Sequence, residues 1–196
     1  MFGLKSWFDN RYIKVPWHRI KNVIKNCSNC PNFRLKMVHN YKGNIGSSRY
    51  FNYRVQIDFI GTLAKFKNAY VCTMTDTLTG LALARPGPKP DSNTCIMTIL
   101  QWCAQYGTPA IIESDQGTHF TSRQTQKVAS ALGILWDFHK AYNPIAEGAI
   151  ECFNGLLKKS LKQYQNETLP KEIWRSLIDL NNRRRANRKS PLQDAG

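Results

Sequence analysis

The sequence contains no run of about 18 apolar residues, so no segment of it can cross a bilayer as a helix. Neither end carries an isolated amphipathic stretch that would act as a membrane anchor. The opening residues, MFGLKSWFDNRYIKVP, interleave charges with aromatics and hold no apolar core of the length a secretory signal needs. The expectation is a protein kept inside a cell or a virion. Acidic residues are scarce, 13 against 28 Lys plus Arg, which leaves a formal net charge of +15. That imbalance favours a polyanionic partner, and with no membrane element present, nucleic acid is the expected one. Internal repeats and low-complexity tracts are absent too, which excludes solenoid and fibrous classes.

Of the six cysteines, Cys72, Cys95, Cys103 and Cys152 stand singly in apolar or helical surroundings and read as reduced, mostly buried thiols. Cys27 and Cys30 are the exception, spaced as Cys27-Ser-Asn-Cys30. They sit in a basic segment that ends in the Lys/Gly/Ser-rich stretch KGNIGSS, which reads as a linker. A boundary near residue 48 follows, dividing a small N-terminal appendage (1–48) from a main domain (49–196).

Past that boundary the hydrophobic period is two. Tyr53 to Gly61 alternates and is β-branched, predicting a strand that carries Asp58. Ala69 to Thr75 predicts a second strand, closed by the turn signal Asp76-Thr-Leu-Thr-Gly80, and Leu81 to Arg85 a third that stops at Pro86. Hairpin spacing makes these an antiparallel meander. From Ser92 the period becomes helical through Cys95, Ile96, Ile99, Leu100 and Cys103, with Asp91 or Ser92 as N-cap and Gly107-Thr-Pro109 as the stop. A short buried strand, Ala110 to Ser114, delivers Asp115 at its end. A helix over 122–132, a strand over 134–138, a loop through Tyr142-Asn-Pro144, a long helix over 146–164 and a last helix opening at Pro170 complete the chain. The order is an α/β mixed sheet with helices packed on it.

An ionised carboxylate within or at the end of an apolar strand is costly unless it is paired or bound to a metal. Asp58 and Asp115 are both placed that way. On the long helix Glu151, Asn154 and Lys158 share one face while Ile150, Phe153, Leu157 and Leu161 share another, so the helix buries one stripe and presents the other. Three carboxylates from separate elements suit Mg²⁺ or Mn²⁺, which take hard oxygen ligands and leave positions for phosphate oxygens. Residues 116 to 150, 35 in number, separate Asp115 from Glu151.

That separation occurs within four strings: Val55-Gln-Ile-Asp-Phe-Ile-Gly61, Ser114-Asp-Gln-Gly-Thr-His-Phe-Thr-Ser122, Tyr142-Asn-Pro144 and Gly148-Ala-Ile-Glu-Cys-Phe-Asn154, the last followed by Leu157-Lys158. Over residues 50 to 195 the chain resembles the catalytic core of retroviral integrases, in the manner of endogenous, spuma-related and ERV-L-like elements. The resemblance implies an RNase H-like fold and polynucleotidyl transfer. It implies that Asp58, Asp115 and Glu151 hold two Mg²⁺ or Mn²⁺ ions, Asp58 bridging both. The ions would activate water to trim a retroelement DNA 3′ end, then activate that 3′-hydroxyl to attack target DNA. It further implies DNA contacts by Asn154, Lys158 and Lys159, a homodimer or higher oligomer, and a nuclear, virion or pre-integration-complex location.

The sequence departs from the family in three places. Pro144-Ile-Ala-Glu-Gly148 sets Glu147 one turn before Glu151, adding negative charge where relatives have none. Cys27 and Cys30 resemble the second half of a His-His-Cys-Cys zinc module whose histidine pair is missing; His18 is too close to Cys27 to supply it, so Zn²⁺ binding needs ligands from elsewhere. The basic barrel expected after the core does not follow Asn187-Arg-Lys-Ser-Pro-Leu192. These departures keep two other functions in view. One is a catalytically inactive or domesticated domain that binds nucleic acid or self-associates. The other is a ribonuclease of the same fold.

Overall fold

The computed structural model describes residues 5, 8–9, 12–27, 50–63, 66, 69–138, 148–163, 168–183 and 189–196. Cys30, the KGNIGSS linker with its boundary, the Tyr142 to Pro144 loop, Glu147 and residues 184–188 lie outside these.

Five strands form one sheet in the order β3-β2-β1-β4-β5: β1 (Arg54–Leu63), β2 (Ala69–Asp76), β3 (Ala82–Gly87), β4 (Ile111–Ser114) and β5 (Leu135–Phe138). β1, β2 and β3 are the expected meander, paired antiparallel, whereas β4 runs parallel to β1 and β5 parallel to β4. β3 runs past its expected stop, pairing Pro86 with Val71 and Gly87 with Tyr70. β3 is an edge strand, the position in a sheet where proline is tolerated.

Alternation along β1 sorts the core into two. Val55 and Ile57 turn to one face, joining Cys72, Met74, Cys95, Ile99, Trp102, Ile112 and Phe120 beneath α2 (Ser92–Tyr106). Ile60 turns to the other and joins Val71, Phe153, Leu157, Leu161, Ile173 and Leu177 beneath α5 (Gly148–Gln163) and α6 (Leu169–Asn181). A strand with two buried faces must be apolar on both, which is why Gln56 and Asp58 are conspicuous there.

Four shorter helices complete the described chain: α1 (Trp17–Asn26), α3 (Thr118–Thr121), α4 (Arg123–Ala131) and α7 (Pro191–Ala195). The pattern had predicted only α4 among these. The other three are local: α7, for example, is five residues held by a capping box, in which Ser190 accepts from the Gln193 backbone and the Gln193 side chain reaches back. Asp91, as expected, caps α2, its carboxylate accepting from Thr94 N at 2.8 Å.

Candidate active site

Asp58 lies midway along β1, and Asp115 directly follows the last residue of β4, the strand parallel to it. The β1/β4 register pairs Gln56 with Glu113. Asp58 and Asp115 each follow that last paired couple by two residues, on the same strand faces as Gln56 and Glu113. The carboxyl ends of parallel strands are where open α/β sheets place their ligands. Asp58 is half-buried: one oxygen accepts from its neighbour Phe59 N at 2.7 Å, the other from Asn154 Nδ2 at 2.7 Å. Asp115 is exposed, and its Oδ1 accepts from Gly117 N at 2.9 Å.

Gly117 leaves room there for two side chains. A Cβ on it would lie 2.7 Å from His119 Cε1 and 3.0 Å from Asp115 Oδ1. With no side chain at 117, the His119 ring folds against Phe59, ring centroids 4.6 Å apart, and against Phe120 at 4.1 Å. Burial holds the His119 imidazole below its usual pKa, with Asp115 and Asp91 pulling more weakly the other way. His119 therefore brings an imidazole to the rim beside Asp115; from the sequence it could steer a phosphate or touch DNA, though a surface histidine in a loop after a strand is more often uncommitted.

The third candidate carboxylate, Glu151, is exposed in the first turn of α5. Three residues on, the same helix delivers Asn154, which is 6% exposed. Asn154 Oδ1 accepts from Thr73 Oγ1 at 2.9 Å, while its Nδ2 is the donor to Asp58. The resemblance implied a DNA contact for Asn154; in the structure its amide oxygen and one amide N–H are engaged inside the fold, because Thr73 and Asp58 face each other across β2 and β1 and the helix seats Asn154 between them. Lys158 and Lys159, in contrast, are exposed on α5.

Among the described residues, no three His, Cys, Asp or Glu side chains stand close enough together to hold a metal ion. The structure thus carries Asp58 and Asp115 on neighbouring parallel strands and puts Glu151 one helical turn from the residue that touches Asp58, without closing the three into a cluster. In donor chemistry the set fits a hard divalent cation, being all carboxylate oxygen. Cys27 is half-buried at the C-terminal end of α1, and its expected zinc partner Cys30 lies outside the described residues.

Composition had not flagged a buried polar row behind the aspartates. Glu113, 6% exposed, is ion-paired with Arg54 NH1 and accepts from Gln56 Nε2 at 3.1 Å. The available signal was an acid inside the apolar string Ala110-Ile-Ile-Glu-Ser114, two residues before Asp115, just as Gln56 precedes Asp58.

Residues 51–144 match the model of the integrase core domain family. The Pol polyprotein of Feline endogenous virus ECE1 is 34% identical over 112 residues, which cover 57% of this chain and 11% of the polyprotein. The Gag-Pol polyprotein of Walleye dermal sarcoma virus is 29% identical over 182 residues, covering 90% of this chain and 10% of the polyprotein. The chain therefore spans about a tenth of the length of these curated relatives. Among solved structures, the HTLV-2 integrase catalytic core domain in complex with magnesium superposes with a TM-score of 0.68 at 24% identity, over 76% of this chain and all of that one. At that identity the likeness concerns the fold, which is RNase H-like.

Proposed function

We propose, from the premise that this chain carries an integrase core domain of retroviral type, that it is a metal-dependent DNA strand transferase acting on retroelement ends. The observation that supports the proposal is the parallel register of β1 and β4, whose last pair, Gln56 and Glu113, precedes Asp58 and Asp115 by two residues each.

In this reading Asp58, Asp115 and Glu151 hold two Mg²⁺ or Mn²⁺ ions. Such ions, when bound, lower the pKa of a hydroxyl nucleophile and neutralise charge on the phosphate oxygens. The protein's own part is positional. Asn154 and the Phe59 backbone fix the Asp58 carboxylate in orientation, each at 2.7 Å. The Gly117 backbone N–H does the same for Asp115. Lys158 and Lys159, exposed beyond the first turns of the same helix, supply cationic contacts for DNA phosphates; such contacts fix register without reading bases. The +15 net charge supports the same partner. Self-association into a dimer or larger assembly, action in the nucleus and a two-domain division near residue 48 belong to this proposal by family likeness. Zinc at Cys27 and Cys30 enters only where histidine ligands are supplied from elsewhere.

The test is Mn²⁺-supported cleavage and joining of short branched and blunt DNA oligonucleotides by the native chain and by Asp115→Asn. The proposal expects activity that vanishes in the variant. Silence in both, with DNA still retained at low salt, would replace it with a catalytically disabled integrase relic that binds nucleic acid; cleavage confined to RNA in hybrids would replace it with a ribonuclease.

A further inference from the structure

Directly behind the candidate carboxylates lies a second layer of three groups, each next to one of them in the chain. Gln56 is two residues before Asp58, Glu113 two before Asp115, and Ile150 one before Glu151. The first two are register partners on β1 and β4. Gln56 is fully buried. Its Nε2 donates to Glu113 Oε2 at 3.1 Å, and its Oε1 accepts from Ile150 N at 3.0 Å. Ile150 is the third residue of α5, so its N–H is one of the helix's first four donors, which have no partner within the helix. Gln56 caps that helix from the strand that carries Asp58.

Glu113 anchors the arrangement. One of its oxygens takes the Gln56 amide and the other the Arg54 guanidinium, which also reaches Asp137 Oδ2 at 3.3 Å. A buried carboxylate is costly unless its oxygens are satisfied, and here both oxygens have a donor. With its carboxylate occupied in this way, Glu113 leaves the Gln56 amide one orientation: NH₂ toward Glu113, oxygen toward Ile150. Ridges of Phe153 and Leu157 set the distance of α5 from the sheet, but apolar packing permits sliding along the helix axis. A hydrogen bond to a single N–H in the first turn does not.

We infer that Gln56 and Glu113 are positioning residues that fix the axial height of α5, and with it the placement of Glu151 relative to Asp58 and Asp115. The inference rests on the reading of those three as the metal-binding carboxylates. Neither Gln56 nor Glu113 touches the reacting atoms; both act through Ile150.

The polarity of the strut makes it testable by exchange of partners. In Glu113→Gln the new amide keeps its oxygen on Arg54, so its NH₂ group meets the NH₂ of Gln56. Gln56 relieves this only by turning, which points its own NH₂ at the Ile150 N–H. In Gln56→Glu two carboxylates meet. In the double variant Gln56→Glu/Glu113→Gln, the carboxylate at position 56 accepts from both Ile150 N and the amide at 113, and every donor is satisfied again.

Three properties of the full chain decide it: amide hydrogen exchange across residues 148–154, Mn²⁺ affinity by calorimetry, and the DNA joining rate. Each single variant is expected to speed exchange at the start of α5 and weaken Mn²⁺ binding by about 10- to 100-fold, the usual scale for groups that orient metal ligands. The double variant is expected to recover both. Single variants with native exchange and native Mn²⁺ affinity would overturn the inference, as would a double variant no better than either single one. So would a native chain that binds no Mn²⁺, since there would be no carboxylate set to align. Native Mn²⁺ binding with the expected exchange pattern but no DNA joining would leave the strut standing and remove the strand-transferase proposal alone.

Discussion

Asn154 Nδ2 donates to Asp58 Oδ2 at 2.7 Å, joining a helix to a strand that lies 96 residues earlier in the chain. The same amide accepts from Thr73 at its other end. A carboxylate that would otherwise rotate about its last torsion is thereby held in one plane.

Asn154→Ala removes a partner from both a buried hydroxyl and a half-buried carboxylate. Thr73 keeps the Asp58 carbonyl and Asp58 keeps the Phe59 N–H, so the loss is about 0.5–1.5 kcal/mol per hydrogen bond, and denaturant titration should give a lower midpoint with an unchanged slope. DNA joining should fall further than stability alone accounts for. A variant with native activity would mean that Asp58 needs no support from the helix.

Lys158 and Lys159 are exposed on α5, and each is expected to neutralise one DNA phosphate. Replacing either by Ala should lower the slope of log K against log salt by about 0.9, equally for all duplex sequences. An unchanged slope for both would move the DNA contacts off this helix.

Asp91 holds the start of α2, and the Thr94 backbone hydrogen bond, ahead of other influences, pulls its carboxyl below the usual range. A depressed carboxyl stabilises the fold above its unfolded pKa, near 3.8, and that contribution is lost as pH falls through the lower folded value. Asp91→Ala should cost about 1 kcal/mol at neutral pH. Thermal melts of the variant and the native chain should converge toward pH 2. A gap that persists under acid would assign the cap's effect to something other than its charge.

Thiol labelling separates the cysteines by burial. Burial pushes the Cys95 thiol up to about 12 and raises Cys72 well above its usual value, so both stay protonated and inaccessible at pH 8. Cys152, expected from the pattern to be buried, is exposed beside Glu151. Iodoacetamide should modify Cys152 well before Cys72 or Cys95, as read by peptide mass spectrometry. Labelled protein should join DNA more slowly, because the adduct stands next to the proposed carboxylate site, and Cys152→Ser should abolish that sensitivity. Early labelling of Cys95 would contradict the α2 packing.

The strands and long helices were legible because their signal is local. The alternation at 53–61, the apolar run at 110–114 and the helical spacing at 95–103 each need only a few neighbours to state a period, and Asp91 and Gly107 bracket α2 by backbone chemistry that operates at the position itself. Cys152 was misjudged for a related reason: it borders the apolar stripe of α5, and a period alone does not say how wide a stripe the sheet will cover.

What no local signal could carry is which polar groups meet. Asp58 and Asp115 are two isolated acids in sequence, and only the parallel pairing of β1 with β4 puts them on adjacent strands, two residues past the paired Gln56 and Glu113. Gln56 looks like a misplaced polar residue in a strand until the fold presents it with Glu113 on one side and a helix terminus on the other. The chain's residues decide the elements, their period and the excess of positive charge, since these follow from neighbouring side chains and simple composition. Register across strands 50 to 60 residues apart, and the seat of α5 on the sheet, are settled only when both faces are packed and the buried backbone donors are paired.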